Sequence, residues 1–183
     1  RRTCTMFYMR LHRFFSYHII DKEKINYFSN SEVVHQIRRV FRLHEGDKAI
    51  FFDGTGVDFV SEIVSMESDK IGFKVHETQV VKPHSSLRLA LAVSLIKKDN
   101  FEWVIQKGTE LGVSEFIPLI SERSEKKNLN MERAQKILIE ATEQSGRSFV
   151  PEIKEPIVLE DFLNVEKRGM VVFHTEGSSL DEE

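Results

Sequence analysis

Cysteine is nearly absent from this 183-residue chain: Cys4 stands alone, which excludes an internal disulfide and any cysteine-based metal site and suits a reducing compartment. The seven histidines show no paired ligand spacing, so no metal is expected. No stretch approaches the roughly 18 uninterrupted apolar residues of a membrane span, and nothing near the start has a charged-then-apolar secretory pattern. Internal repeats and low-complexity segments are missing as well. The expectation is a soluble cytoplasmic protein. With 40% hydrophobic and 30% charged residues, the chain can bury a substantial core in one domain or two small ones.

Excess positive charge is also lacking, since the formal net charge is -3, but the average hides an asymmetry. Through Ser86 there are 13 Lys+Arg against 11 Asp+Glu; the remainder holds 13 against 18. Only the first part suits a polyanion. A protein that simply coats nucleic acid is disfavoured, and contact at a few chosen points is not.

In the first part, SEVVHQIRRVFR over residues 31–42 predicts a helix with Ser31 as N-cap. Val33, Val34, Ile37 and Phe41 fall on one side. His35, Arg38, Arg39 and Arg42 fall on the other, spaced so that each could reach a phosphate oxygen. A solvated helix face is the plainer reading of that stripe. Arg10 and Arg13, flanking Leu11-His12, favour RNA. Residues 48–52 and 57–64 predict a hairpin around Asp53-Gly54-Thr55-Gly56, and residues 70–76 a further strand. No helix follows the glycine-rich turn, so it is not a phosphate loop. Short strands with one helix indicate a small β-barrel. The polar Lys82-Pro83-His84-Ser85-Ser86 ends this pattern and marks the boundary.

Beyond it, residues 87–95 (LRLALAVSL) form a nearly continuous apolar run, as a parallel strand covered on both faces would. Residues 99–112 predict a helix burying Phe101, Val104, Ile105, Gly108 and Leu111, with Trp103, Lys107 and Glu110 on a neighbouring stripe. Mid-helix glycine costs roughly 1 kcal/mol against alanine, so Gly108 signals a tight helix–sheet contact. Residues 115–120 predict a buried strand, 121–130 a charged loop, and 131–146 a helix burying Ala134, Ile137, Leu138, Ala141 and Ser145, with Gly146 as its C-terminal cap. A short helix is expected at 159–163 and a third apolar strand at 169–174. The alternation predicts a parallel sheet, whose chemistry sits where strands hand over to helices.

Three segments of this second part carry candidate chemistry. Lys107 and Glu110 lie three apart and read most simply as an intrahelical ion pair. Ser121-Glu122-Arg123-Ser124 follows a buried strand at the usual ligand crevice, although a surface loop is as good a reading. Glu143-Gln144-Ser145-Gly146-Arg147 closes the second long helix.

The wording of residues 98–147, KDNFEWVIQKGTELGVSEFIPLISERSEKKN and then MERAQKILIEATEQSGR, resembles the RsmE family of 16S ribosomal RNA uridine-N3 methyltransferases, in the knotted SPOUT superfamily. The resemblance begins at MRLHRFF, with Met9, and runs to about Ser179; residues 1–8 are set aside from fold reasoning. It implies a PUA-like RNA-binding β-barrel over residues 9–82 and, over 87–183, the first part of a SPOUT-type α/β knot domain. The fold class is thus α+β followed by α/β. It implies S-adenosylmethionine as cofactor and 16S rRNA in the small ribosomal subunit as partner, with a homodimer as the intact form. By carry-over, Arg123 and Gln144 join Arg10, Arg13, His35, Arg38, Arg39 and Arg42 as RNA-facing candidates. Arg147 or Lys107 would stabilise developing negative charge on the uracil, and His174, Thr175 and Glu176 would help hold the cofactor.

The family's Gly-Pro-Glu-Gly-Gly loop and its later Leu-Gly…Leu-Arg-x-Glu-Thr segment do not occur. The expectation is an incomplete methyltransferase domain with an unpaired sheet edge, aggregation-prone and without measurable affinity for the methyl donor by itself. The alternatives are an RNA-binding module without catalysis and a SPOUT methyltransferase of another RNA site.

Overall fold

The computed structural model describes residues 11–81, 87–122, 124, 128–166 and 169–173. Two sheets organise them. The first holds β1 (Arg13–Phe15), β2 (Ile25–Phe28), β3 (Lys48–Phe52), β4 (Val57–Met66) and β5 (Ile71–Val80) in the order β1-β3-β4-β5-β2. β1 runs parallel to β3, and the other neighbours are antiparallel. The hairpin expected between β3 and β4 forms. Asp53 accepts hydrogen bonds from Thr55 N and Oγ1 at 3.2 and 2.6 Å, and Gly54 and Gly56 take the positive φ that the turn needs. Register shifts at Val60/Ser61 and Ile63/Ser65 curl the long β4–β5 pair. The curl gives a half-barrel: among the described residues no ladder joins β1 to β2.

Inside the curl lie Phe14, Phe28, Phe51 and Phe73, all buried, with Phe51 stacked on Phe73 at 4.0 Å between ring centroids. Val34 and Ile37 plug its open side from the helical segment. That segment departs from the expected single helix over 31–42. Asn30, not Ser31, is the cap, its side chain accepting from Glu32 N and Val33 N. Regular α-helix α1 covers only Ser31–His35; Gln36–Val40 is a π-helical turn, and Arg42 has a left-handed φ of 54°. Side chains after Gln36 are therefore out of the 3.6-residue register that placed the basic stripe on one face.

The second sheet is all parallel: β6 (Ala90–Ser94) pairs with β7 (Glu115–Ile120), which pairs with β8 (Glu152–Ile153) and β9 (Ile157–Val158). Helices α2 (Lys98–Leu111) and α3 (Met131–Ser145) cover one face, closing a core of Phe101, Ile105, Phe116, Ile137 and Leu138. Among the described residues the other face has only α4 (Leu159–Val165), whose Phe162 packs on Ile117 and Leu119. Gly112 and Gly146 end α2 and α3 in left-handed conformation. Gly108 makes the tight contact expected of it, since a Cβ there would lie 2.7 Å from the Phe116 ring.

Three expectations fail here. The apolar run 87–95 is not covered on both faces: β6 is shorter and, among the described residues, is an edge strand, with Leu87 73% and Leu89 51% exposed. Leu111 is not buried but 83% exposed, because α2 ends at Gly112 beyond the sheet it packs on. Residues 169–173 form no strand and expose Val172 and Phe173. The boundary segment 82–86 and residue 174 lie outside the described residues.

Candidate functional site

Arg13 alternates with Phe14 along β1 and so points away from the aromatic core. Its guanidinium is nevertheless buried. It forms a forked ion pair with Asp58 of β4 and donates to Arg147 O and Ser148 Oγ, each at 2.9 Å. Ser148 Oγ donates in turn to Asp58, and the Phe52 ring lies 5.1 Å beneath the guanidinium carbon. Gly56 N donates to Ser148 O at 3.2 Å, and a Cβ on Gly56 would overlap the Phe149 ring. The hairpin turn of the first sheet is thus seated on the chain leaving α3.

Glu143 completes this seam. Its Oε1 accepts from Phe15 N of β1 at 2.8 Å. Burial pushes its pKa up to about 7, Glu140 adds to the rise, and the Phe15 hydrogen bond and Arg13 oppose it. Arg147, four residues on, turns back to α2 and donates through Nε and Nη2 to Glu110 O at 3.2 and 2.9 Å. Its guanidinium packs over Gly112, where a Cβ would stand 3.0 Å from Nη2. Glu143-Gln144-Ser145-Gly146-Arg147 is therefore a three-way joint: its carboxylate holds the first sheet, its glycine ends α3 and its arginine caps α2.

The candidate residues differ in how they are engaged. Arg13 is an internal partner of Asp58 and not a free cation for phosphate. Lys107 pairs with Glu110 at 2.8 and 2.9 Å, whereas Arg147 donates to a helix-end carbonyl, a neutral partner that fixes its position without cancelling its charge. Arg38 is exposed but donates to the carbonyls of Glu67 and Ser68 at 2.8 and 3.2 Å. His35, Arg39 and Arg42 are exposed. Gln144 sits at the rim of the cleft beside the seam. Arg10, Arg123, His174, Thr175 and Glu176 lie outside the described residues. The sequence reading missed Asp58 and Ser148; a carboxylate between Val57 and Phe59 in an apolar strand was the available signal.

Two clefts adjoin this framework. One, of about 630 Å³, opens between the first sheet and helices α2 and α3, with His12, Gln36 and Phe41 on one wall and Gln106, Glu140, Glu143 and Gln144 on the other. Lys136 of α3 also meets Glu32 of α1 at 2.7 Å. The second, of about 500 Å³, lies at the carboxyl end of β6, with an apolar floor of Leu95, Phe101 and Leu129 and the amides of Asn128 and Asn130.

Comparison with known proteins adds the context. The RNA methyltransferase domain family matches residues 83–182. Ribosomal RNA small subunit methyltransferase E of Rickettsia conorii is 34% identical over 145 residues, 79% of this chain and 59% of that protein. Its namesake in Bacillus subtilis is 38% identical over 130 residues, 68% of this chain and 51% of that protein. The chain thus spans between half and three-fifths of the length of these relatives. The crystal structure of the Neisseria gonorrhoeae ribosomal RNA small subunit methyltransferase E, bound to S-adenosyl methionine, superposes with a TM-score of 0.79 at 25% identity over 86% of this chain and 66% of that one. A Legionella pneumophila protein solved with SAM shares the fold, with a TM-score of 0.87 at 24% identity over 95% and 75% of the two chains.

Proposed function

Since the chain belongs to the RNA methyltransferase domain family, we propose that it works on 16S ribosomal RNA of the small subunit, where the protein transfers a methyl group from S-adenosylmethionine to N3 of a uridine. The observation that carries this reading is the family match over residues 83–182, joined to relatives that bear the name of that activity. The reading divides the chain into an RNA-docking unit, residues 9–82, and a methyltransferase unit, residues 87–183. It takes the working form to be a cytoplasmic homodimer. Among the described residues no helix is long and apolar enough to cross a membrane.

The described residues offer part of a fit to the methyl donor. The cleft at the end of β6 offers an apolar floor and two amides, but its carboxylate, Glu102, is engaged by Arg133 at 3.1 Å and by Lys98 at 3.7 Å. Among the described residues the Asn128 carboxamide remains as an acceptor there for a hydroxyl or ammonium group. No chemical step is assigned to this cleft.

What the described residues supply is RNA docking on a fixed framework. Arg39 and Arg42 are exposed on the irregular helical segment and would meet phosphates, while the Arg13–Asp58 seam holds the two sheets in one orientation. Changing Arg39 and Arg42 together to alanine is expected to weaken binding of a 16S rRNA fragment and to lower its log–log salt slope by about 2. Fluorescence anisotropy across a salt series reads both, and an unchanged slope would sink the phosphate contacts.

A further inference from the structure

We propose that the 630 Å³ cleft between the first sheet and helices α2 and α3 holds an unpaired base of the RNA, taken in by its ring and edge while its phosphates remain outside. The inference rests on the RNA-binding reading and specifies what part of the RNA enters.

The volume falls within the roughly 300–1,000 Å³ of small-molecule sites, and the lining selects among ligands. The arginines that reach the cleft are already committed, Arg13 to Asp58 and Arg133 to Glu102. Glu140 adds a carboxylate and Glu143, about half ionised at neutral pH, adds acceptors and part of a charge, so a phosphate gains no attraction here. A neutral heterocycle with N–H donors does. Gln36 and Gln106 bring carboxamides that have no hydrogen-bond partner among the described residues, each able to donate and accept along a base edge. His12 and Phe41, with ring centroids 4.2 Å apart, form an aromatic ledge of the kind on which splayed bases stack.

The backbone points the same way. In an α-helix, residues five apart stand about 140° apart around the axis. Gln36 and Phe41 nevertheless share the cleft wall, because the bond from Phe41 N to Gln36 O, 2.9 Å, closes a π-helical turn between them. The turn ends at Arg42 with its left-handed φ. A basic peptide could also satisfy the carboxylates, but it needs neither the ledge nor the amides.

The test uses single-stranded RNA hexamers of each base and an abasic ribose-phosphate hexamer, titrated by anisotropy against the 183-residue chain. Base-bearing RNA is expected to bind about tenfold tighter than the abasic strand. The double variant Gln36→Ala, Gln106→Ala and, separately, the shape-keeping Glu140→Gln should shrink that ratio below about threefold, leaving the salt slope and the melting temperature unchanged. Equal binding of both strands by the unaltered chain, or full discrimination by both variants, would overturn the base site while the phosphate-docking reading stands. Absence of all RNA binding would overturn both. Capture of an oligo-lysine peptide that Glu140→Gln abolishes, with base discrimination intact, would assign the cleft to a peptide and overturn the proposal.

Discussion

Phe14, Phe51 and Phe73 in the first sheet are 1% exposed or less, whereas Leu87, Leu89 and Phe173, flanking or following the second sheet, are 73%, 51% and 83% exposed. The contrast follows from how each sheet is made. The first sheet builds β3, β4 and β5 as adjacent antiparallel hairpins and can curl its one apolar face onto itself, with Val34 and Ile37 as the lid. A parallel sheet needs a crossover helix for each added strand and cover on both faces; among the described residues α2 and α3 cover one face and only α4 begins the other. Between the two stands a polar seam. An apolar first core, a half-covered second core and a buried ion pair joining them should therefore respond differently to perturbation.

Removing the seam's charge partner should have the largest effect. Asp58→Ala leaves the Arg13 guanidinium buried beside Phe52 without its carboxylate, expected to cost about 3–5 kcal/mol. Denaturant unfolding followed by Trp103 fluorescence, which reports α2, and by far-UV circular dichroism should separate into two transitions. Coincident transitions at unchanged midpoint would show that the sheets do not depend on the ion pair.

Acidity probes the same seam more gently through Glu143. Its carboxyl is raised from the ordinary 4.5 to about 7 in the folded protein. Below pH 4.5 both states are protonated and the stabilisation is complete. As pH rises from there, the unfolded chain releases the proton first, so stability falls and levels off above pH 7, by at most about 3 kcal/mol. Glu143→Gln is expected to flatten that part of the profile. A wild-type slope surviving in the variant would assign it to another group.

The smallest test sharpens the comparison within the second core. Gly108→Ala gains helix propensity but drives a methyl group into Phe116, for a net cost of about 1–2 kcal/mol. Pairing it with Phe116→Leu, which makes room, should recover part of the loss in a double-mutant cycle. Simple additivity would remove the tight contact as the reason for glycine.

The legible parts of this chain are those governed by local rules. The β3–β4 hairpin, β7, the helices α2 and α3, the Gly146 cap and the closeness of Gly108 all follow from period and turn chemistry, whereas Gly112, read as the last helical residue, is itself a cap. The π-helical turn was not legible, because a one-residue widening changes no composition and leaves the apolar spacing of Val34 and Ile37 intact. Nor could the arginines be sorted. Arg13 and Arg38 look alike along the chain; only partners 45 and 135 residues away for one, and a nearby pair of loop carbonyls for the other, tell them apart. The same holds for Glu143-Gln144-Ser145-Gly146-Arg147. Its wording identified a family, while its physical work, joining three elements, needed the positions of β1 and α2.

The span of the seam has a consequence for the order in which the molecule assembles. Asp58 is 45 residues from Arg13, but Arg147 O is 134 away. Loop-closure entropy and emergence from the ribosome both bring Asp58 to Arg13 first, when the first sheet forms. The arginine thus meets its counter-charge before α3 exists, and the later arrival of Arg147 and Ser148 only replaces water on groups already paired. Nascent chains cut short before residue 147 should therefore hold a neutralised, pre-aligned socket that waits for the second half.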